Sequence, residues 1–469
     1  MEDTIIAISR LRNKKKWAYS FHSESSLQTE EYLKNTSFEI QKLGKLVAEI
    51  TDGLHSTRHY VDDGIIVLAV RNITEFGLDL SNKKMINQAE HEHFKRSQVQ
   101  PGDLLVTITG RLGTALVYTS EKPANLSAHV ARVKVHANKV NPYYLAAYLN
   151  SNFGKQLLNE HSIGSLYPHI NVNGLQNVQI ILPRRHIQDR IAQIMQDAYI
   201  VNKKKLAEIE ALLNNFDEFV MKEMGLSSII FKDEKDFTVN IKQMRGGRFD
   251  LDLYNTKYIN LISSLRKEFN LNLKKLVSIT EPITSGTTPL NSQYLETGIP
   301  FLRVQNISNE GILNWENCLF VSEEFAQTIH RSNIKDGDIL LVIVGATIGK
   351  CAVVMGVNSI TVINQALARI RVKKDIPINP NYLQAFLSCP AGQIQISALK
   401  RPVAQGNLSL TETGQILIPI IPDEVQNAIT KEMEHRRFLI KKLRKEAKQI
   451  IIEAKACVER MILGEEEVT

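Results

Sequence analysis

GIIVLAVRNITEFG (64–77) and GIPFLRVQNISNEG (298–311) are one stretch written twice, at an offset of 234, with Gly64, Val70, Asn72, Ile73 and Gly77 each meeting an identical residue. The likeness extends along the chain. VQPGDLLVTITGRLG (99–113) faces IKDGDILLVIVGATIG (334–349), and AHVARVKV (128–135) faces QALARIRV (365–372). NPYYLAAYL (141–149) faces NPNYLQAFL (379–387), and PRRHIQDRIAQIM (183–195) faces PDEVQNAITKEM (422–433). The offset drifts only from 234 to 238, as loops that differ by a residue here and there require. Five collinear blocks define a chain built from two copies of one unit.

The order within each copy gives the fold class. DLLVTIT (103–109) and DILLVIV (338–344) are rich in β-branched residues and follow a Gly-Asp turn, so they are expected as buried strands. The NPYY and NPNY segments open with Asn, then Pro, then apolar residues at helical spacing. Asn as N-cap and Pro at the first helical position are the start signals of a helix. Each copy is therefore a mixed α/β globule.

A long helix is expected after each globule. From Ile187 there is no Gly or Pro before Gly225. Ile187, Ile191, Ile194, Ala198 and Val201 form a stripe, and Leu206, Ile209, Leu213, Phe216 and Val220 resume it after a phase shift near Lys203–Lys205. The second helix carries Ile440, Leu443, Ala447, Ile450, Ala454, Cys457 and Met461 in a heptad rhythm. Such a seam needs a helical partner, and each helix is the obvious partner of the other. About 38 residues make roughly 57 Å of helix, so antiparallel pairing would put a globule at each end of a rod. The Lys203–Lys205 and Lys441–Lys442 clusters are expected on solvated faces.

The expected organisation is a first globule with an N-terminal arm (1–186), a first long helix (187–224) and a linker (225–247). A second globule (248–422), a second long helix (423–463) and a tail (464–469) follow.

Composition excludes several classes. Apolar residues are 43% and charged residues 23% of 469, which is ordinary globular usage. No apolar run approaches the roughly 20 residues of a membrane span. The basic cluster of MEDTIIAISRLRNKKKW follows the short apolar stretch, the wrong order for a secretory signal. Cys318, Cys351, Cys389 and Cys457 are widely spaced, which fits a reducing, cytoplasmic location. A net charge of +7 permits a polyanionic partner without requiring one.

Catalytic signatures are missing. GATIGKC (345–351) has three residues between its glycines where a phosphate-binding loop needs four, and Cys351 stands where that loop needs Ser or Thr. NPYY (141–144) resembles the Asn-Pro-Pro-aromatic motif of amino-group DNA methyltransferases but lacks its second Pro. His91-Glu92-His93 has no third ligand at a telling distance, so no metal site is expected.

The doubled order resembles the specificity subunit of type I restriction–modification systems. It is carried by GRFDLDLY (247–254), FLRVQNI (301–307), KDGDILLVIVGATIGKCAVV (335–354), NQALARIRV (364–372), NPNYLQAFL and IIPDEVQNAI (420–429). The first copy answers with VLAVRNI, QPGDLLVTITGRLGTALV, NPYYLAAYL and PRRHIQDRI. It departs at KWAYS, where the second copy has RFDLD, and at His129, where the second has Ala366. The resemblance implies a non-catalytic subunit whose two globules are target recognition domains, each reading half of a bipartite, asymmetric site in double-stranded DNA. It implies that paired helices set the gap and dock two methyltransferase subunits, with restriction–translocase subunits completing a phage-defence complex. No cofactor is expected on this chain; S-adenosylmethionine, ATP and magnesium are expected on the partners, and no membrane is involved. The alternatives are a methyltransferase or nuclease with unrecognised motifs, or a coiled-coil adaptor that binds no DNA.

DNA contacts are expected from polar residues flanking the strand and turn blocks. These are Arg58, Arg71, Arg111 and His169 in the first copy, and Arg303, Gln305, Lys350, Arg401 and Asn407 in the second. Arg and Lys suit guanine edges and phosphates, Asn and Gln adenine edges. Asn72 and Asn306, equivalent across the repeat, are expected as turn residues.

Overall fold

A computed structural model describes residues 24–53, 59–164, 168–227, 229, 251–289, 294–401 and 406–466. The chain forms two compact units: residues 1–207 with 444–469, and residues 208–443. Both unit boundaries fall inside long helices, Arg185–Glu223 and Asp423–Leu463.

In the first unit, strands Val47–Asp52, Val130–Val135, Leu104–Thr107 and Ala115–Val117 form an antiparallel sheet in that order. A second sheet runs Lys84–Ile86, Ile65–Leu68, Ala124–Leu126 and Gln98–Val99, its middle pair parallel. The second unit repeats the plan. Thr284–Ser285, Leu367–Ile370, Ile339–Val342 and Cys351–Val353 make one sheet; Leu319–Val321, Ile299–Leu302 and Val362–Ile363 make the other. The Gly-Asp blocks do form buried strands, and all four residues of Leu104–Thr107 and of Ile339–Val342 are buried. The preceding glycines, Gly102 and Gly337, turn the chain at φ +92° and +87°.

The NPxY blocks start helices Pro142–Asn150 and Pro380–Ser388, with Asn141 and Asn379 as N-caps and Pro at the first turn. Their tyrosines do a second task. The Tyr144 hydroxyl donates to the Ile181 carbonyl, and that of Tyr382 to the Pro419 carbonyl at 2.8 Å. Both rings are fully buried, so each ties its helix to a strand edge while adding apolar area to the core. The likeness of NPYY to a methyltransferase motif is thus accounted for by a helix start. One glutamine locks each globule to the helix that leaves it: Gln188 Oε1 accepts from the Asn141 amide at 2.9 Å, and Gln426 Oε1 from the Asn379 amide at 2.8 Å.

Within the first unit the two helical segments pair antiparallel. Asn202 Nδ2 donates to the Ala447 carbonyl at 3.0 Å, and Lys205 Nζ meets Glu446 Oε2 at 2.6 Å. One core gathers Ile191 and Met195 with Val458, Met461 and Ile462. The seam differs from the stripe read in the sequence. Its buried and half-buried positions run Ile191, Met195, Ala198, Asn202 and Lys205, stepping by four and three with no phase shift. Val201 and Leu206, expected in the stripe, are 40% and 50% exposed. Polar side chains, Asn202 and Lys205, occupy two of the seam positions, so hydropathy alone favours the neighbouring apolar residues. Within the second unit the helical segments also pack together: Arg436 Nη1 donates to the Leu212 carbonyl at 2.8 Å, and its guanidinium lies over the Phe216 and Phe219 rings. No described helix is long and apolar enough to cross a membrane.

Candidate nucleic-acid interface

Each globule brings three connecting segments to one place, and equivalent backbone bonds build the place twice. The first segment is a 3-10 turn, Val70–Asn72 or Val304–Asn306. The asparagine closes it. Asn72 Oδ1 accepts from the Ala69 amide at 3.0 Å while Nδ2 donates to the Asp79 carbonyl at 2.8 Å. Asn306 Oδ1 accepts from the Arg303 amide at 2.8 Å and Nδ2 donates to the Asn314 carbonyl at 3.1 Å. Both asparagines are buried turn residues. Arg71 and Gln305 occupy the equivalent position between them and the preceding valine, and both are exposed.

The second segment joins the central strand of the antiparallel sheet to its edge strand. Arg111 lies on it, exposed, with Nη2 donating to the Val70 carbonyl at 2.9 Å, which draws this turn onto the first. In the second copy the segment is GATIG, and its glycines Gly345 and Gly349 have φ of +105° and +98°. It is a strand connection between Ile339–Val342 and Cys351–Val353, and the resemblance to a phosphate loop ends there. Half-buried Lys350 lines a cleft of about 280 Å³ with Asn309, Thr347 and Ser388.

The third segment shows no sequence identity between the copies; the offset of 238 in the flanking blocks aligns it, and the structure bears that alignment out. Ile163 bridges His169, and His169 bridges Thr109; likewise Arg401 bridges Asn407, and Asn407 bridges Val344. The Ile170 amide donates to the Ile108 carbonyl at 3.0 Å, and the Leu408 amide to the Ile343 carbonyl at 2.9 Å. His169 and Asn407 therefore stand at one structural position. Arg401 is tied by Nε to Glu412 Oε1 at 2.9 Å, which fixes its orientation while its side chain stays 60% exposed. Arg303 is half-buried, and its Nε has no hydrogen-bond partner. Arg58 lies outside the described residues.

The turns thus collect Arg71, Arg111 and His169 in the first globule, and Gln305, Lys350, Arg401 and Asn407 in the second. Sequence reasoning missed Thr109 and His129 as members of the first group. His169 Nδ1 lies 2.9 Å from Thr109 Oγ1 and 3.0 Å from the Ile108 carbonyl, and His129 Nδ1 lies 3.3 Å from the same Thr109 Oγ1. The available signal was the departure of His129 from Ala366 in an otherwise matched block. Exposed cations beside fixed donors and acceptors suit a polyanion whose bases carry edge patterns. Among the described residues, no cluster of three or more His, Cys, Asp and Glu side chains is arranged to hold a metal ion.

A family described as "Type I restriction modification DNA specificity domain" matches residues 72–211 and 270–450. The specificity subunit of the type I restriction enzyme EcoBI of Escherichia coli is 26% identical over 165 residues. That alignment covers 34% of this chain and 35% of the relative, so the match spans about a third of that subunit's length. The MjaVIII specificity subunit of Methanocaldococcus jannaschii is 23% identical over 346 residues, 73% of this chain and 74% of the relative. Among solved structures, the type I restriction–modification S subunit from M. genitalium is 12% identical with a TM-score of 0.45, covering 93% of this chain and 98% of that one.

Proposed function

The chain belongs to the family of type I restriction modification DNA specificity domains, and from that premise we propose that it reads a bipartite, asymmetric site in double-stranded DNA, one half with each globule. It is a specificity subunit, the non-catalytic member of its complex. Methyltransferase subunits dock on it and bring S-adenosylmethionine. Restriction–translocase subunits bring ATP and magnesium chemistry, and the complex acts in the cytoplasm.

One observation carries the reading. The two globules share the backbone bonds of their three segments, yet Arg71, Arg111 and His169 are answered by Gln305, Ala346 or Thr347, and Asn407. A fold that keeps the frame and varies the exposed polar side chains is suited to reading two different sequences. Two modest half-site interactions held by one chain add into a tight interaction that depends on their spacing. The paired helices are the spacing element in this account.

The test is the methylome of the host with and without this gene. Loss of adenine methylation at one bipartite motif is the expected result. An unchanged methylome, together with no methylation when the chain is co-expressed with its cognate methyltransferase subunits, would refute the reading.

A further inference from the structure

The first globule holds a polar relay that the second lacks. Thr109 Oγ1 sits between two imidazoles, 2.9 Å from His169 Nδ1 and 3.3 Å from His129 Nδ1. The equivalents in the second globule are Val344, Asn407 and Ala366. The backbone there is bonded alike: Ile108 N donates to the His129 carbonyl at 3.0 Å, and Ile343 N to the Ala366 carbonyl at 2.9 Å. The fold therefore does not require the relay, since the same frame stands on an alanine and a valine.

One proton arrangement satisfies all of these bonds. His169 Nδ1 also lies 3.0 Å from the Ile108 carbonyl, which can only accept, so Nδ1 carries the hydrogen and Nε2 is left as an acceptor. The one Nδ1 hydrogen is shared between the Ile108 carbonyl and the Thr109 hydroxyl, which leaves the hydroxyl its own hydrogen to give. Donating it to His129 Nδ1 satisfies that hydrogen, and His129 then carries its own on Nε2. The outer nitrogens of the two rings thus have opposite polarity: His169 Nε2 accepts and His129 Nε2 donates. His129 is exposed and His169 half-buried, beside exposed Arg111 and Arg71.

We infer that His129 and His169, set in tautomer by Thr109, form a base-reading pair in the first globule that selects adenine in the major groove. Adenine presents there an acceptor, N7, beside a donor, the N6 amine. Guanine presents two acceptors, thymine an acceptor and a methyl, cytosine a donor. Within a single base edge only adenine answers a neighbouring donor and acceptor with the opposite pair; across a G·C pair guanine O6 beside the cytosine N4 amine is the competing pattern, which the experiment separates. Thr109 is a positioning residue: it touches no base and sets which ring nitrogen holds the proton. The inference rests on the reader function proposed above and names which base one half-site contains.

The experiment uses the full chain co-expressed with its cognate methyltransferase subunits, with the methylated motif read by sequencing. The variants are His129→Ala, His169→Ala and Thr109→Val. Two of these install the residue that the second globule already carries on the same backbone. One adenine position in one half-site should relax in all three variants, with discrimination falling about 5- to 150-fold for the histidines and less for Thr109→Val. The other half-site should stay unchanged, which reports an intact complex. Relaxation at a guanine, cytosine or thymine position, or an unaltered motif in both histidine variants, would overturn the inference and leave the reader function standing. A wild-type complex that marks no bipartite motif would overturn both.

Discussion

The two globules agree where a buried side chain is bonded to backbone and disagree along the turns where side chains are exposed or half-buried. Asn72 and Asn306 close the same turn, Tyr144 and Tyr382 tie the same helix, and Gln188 and Gln426 lock the same helix start. Beside them Arg71 faces Gln305, His169 faces Asn407, and the Thr109 relay faces an apolar Val344. Packing tolerates little change at the first set, because each member satisfies buried polar atoms that would otherwise cost free energy. The second set bears no such constraint, so its divergence points to what the protein contacts.

The comparison also separates positions that match in type but not in surroundings, and substitutions there should break the symmetry. The largest expected effect is at the end of the opening motif. Gly311 has φ +67°, and a Cβ there would stand 2.7 Å from the Cys351 carbonyl oxygen and 2.1 Å from the Gln384 amide nitrogen. Its counterpart Gly77 has φ +136° with nothing within 4 Å. Gly311→Ala should cost about 3 kcal/mol or more, and Gly77→Ala about 1–2 kcal/mol from backbone strain alone. Hydrogen exchange, read separately in the two units, would measure both. Equal costs would contradict the structure.

The two turn aspartates are next. Asp338 accepts two guanidinium bonds from Arg371, at 2.6 and 2.7 Å. Asp103 faces Lys134 at that position and has no such fork, and burial holds its carboxyl above the usual range. Asp338→Asn should destabilise the second unit by about 2–3 kcal/mol, because half-exposed Glu281 compensates Arg371 only in part. Asp103→Asn keeps an oxygen for the Gln100 amide, which donates to Asp103 at 2.8 Å, and should cost less than 1 kcal/mol at neutral pH.

A third test uses pH. Lys455 forms an ion pair with Glu75 at 2.6 Å in the first unit, whereas the equivalent helix position in the second is Asp217, pushed up to about 6 by burial. A raised carboxyl favours the protonated folded state. Its stabilising contribution is present below about pH 4 and is lost as pH rises through about 6. Asp217→Asn should therefore stabilise the second unit at pH 7 by about 1 kcal/mol, after allowance for its partial exposure, and leave it unchanged near pH 4. Denaturant midpoints at the two pH values would show it, and a gain confined to pH 4 would reverse the assigned cause.

The smallest effect concerns the seam. Asn202 is buried and spends its amide on the Ala447 carbonyl. Asn202→Ala should cost about 1 kcal/mol, measurable in the same hydrogen-exchange experiment. No loss of protection around Ala447 would mean that the bond does not hold the pair.

Much of this was legible in the sequence. Five repeated blocks gave the doubled α/β globule, and Asn-Pro gave the helix starts, because caps and turns are local chemistry. Val201 and Leu206 lie off the seam because Asn202 and Lys205 hold its positions, and a polar seam is recognisable only from its partner helix. The equivalence of Ile163 and His169 with Arg401 and Asn407 shows in no shared residue, and only the offset of 238 in the flanking blocks carries it. Backbone bridges define that segment, and bridges ask nothing of side-chain identity. His129 was noticed as a departure but not as a ring bonded to Thr109, a contact between residues 20 apart that only the sheet creates.

The most direct test of the central claim replaces residues 248–422 with the second globule of another specificity subunit and sequences the methylome. The account predicts that one half of the bipartite motif changes while the other half and the gap persist. A motif altered in both halves, or altered in neither, would contradict the assignment of one half-site to each globule.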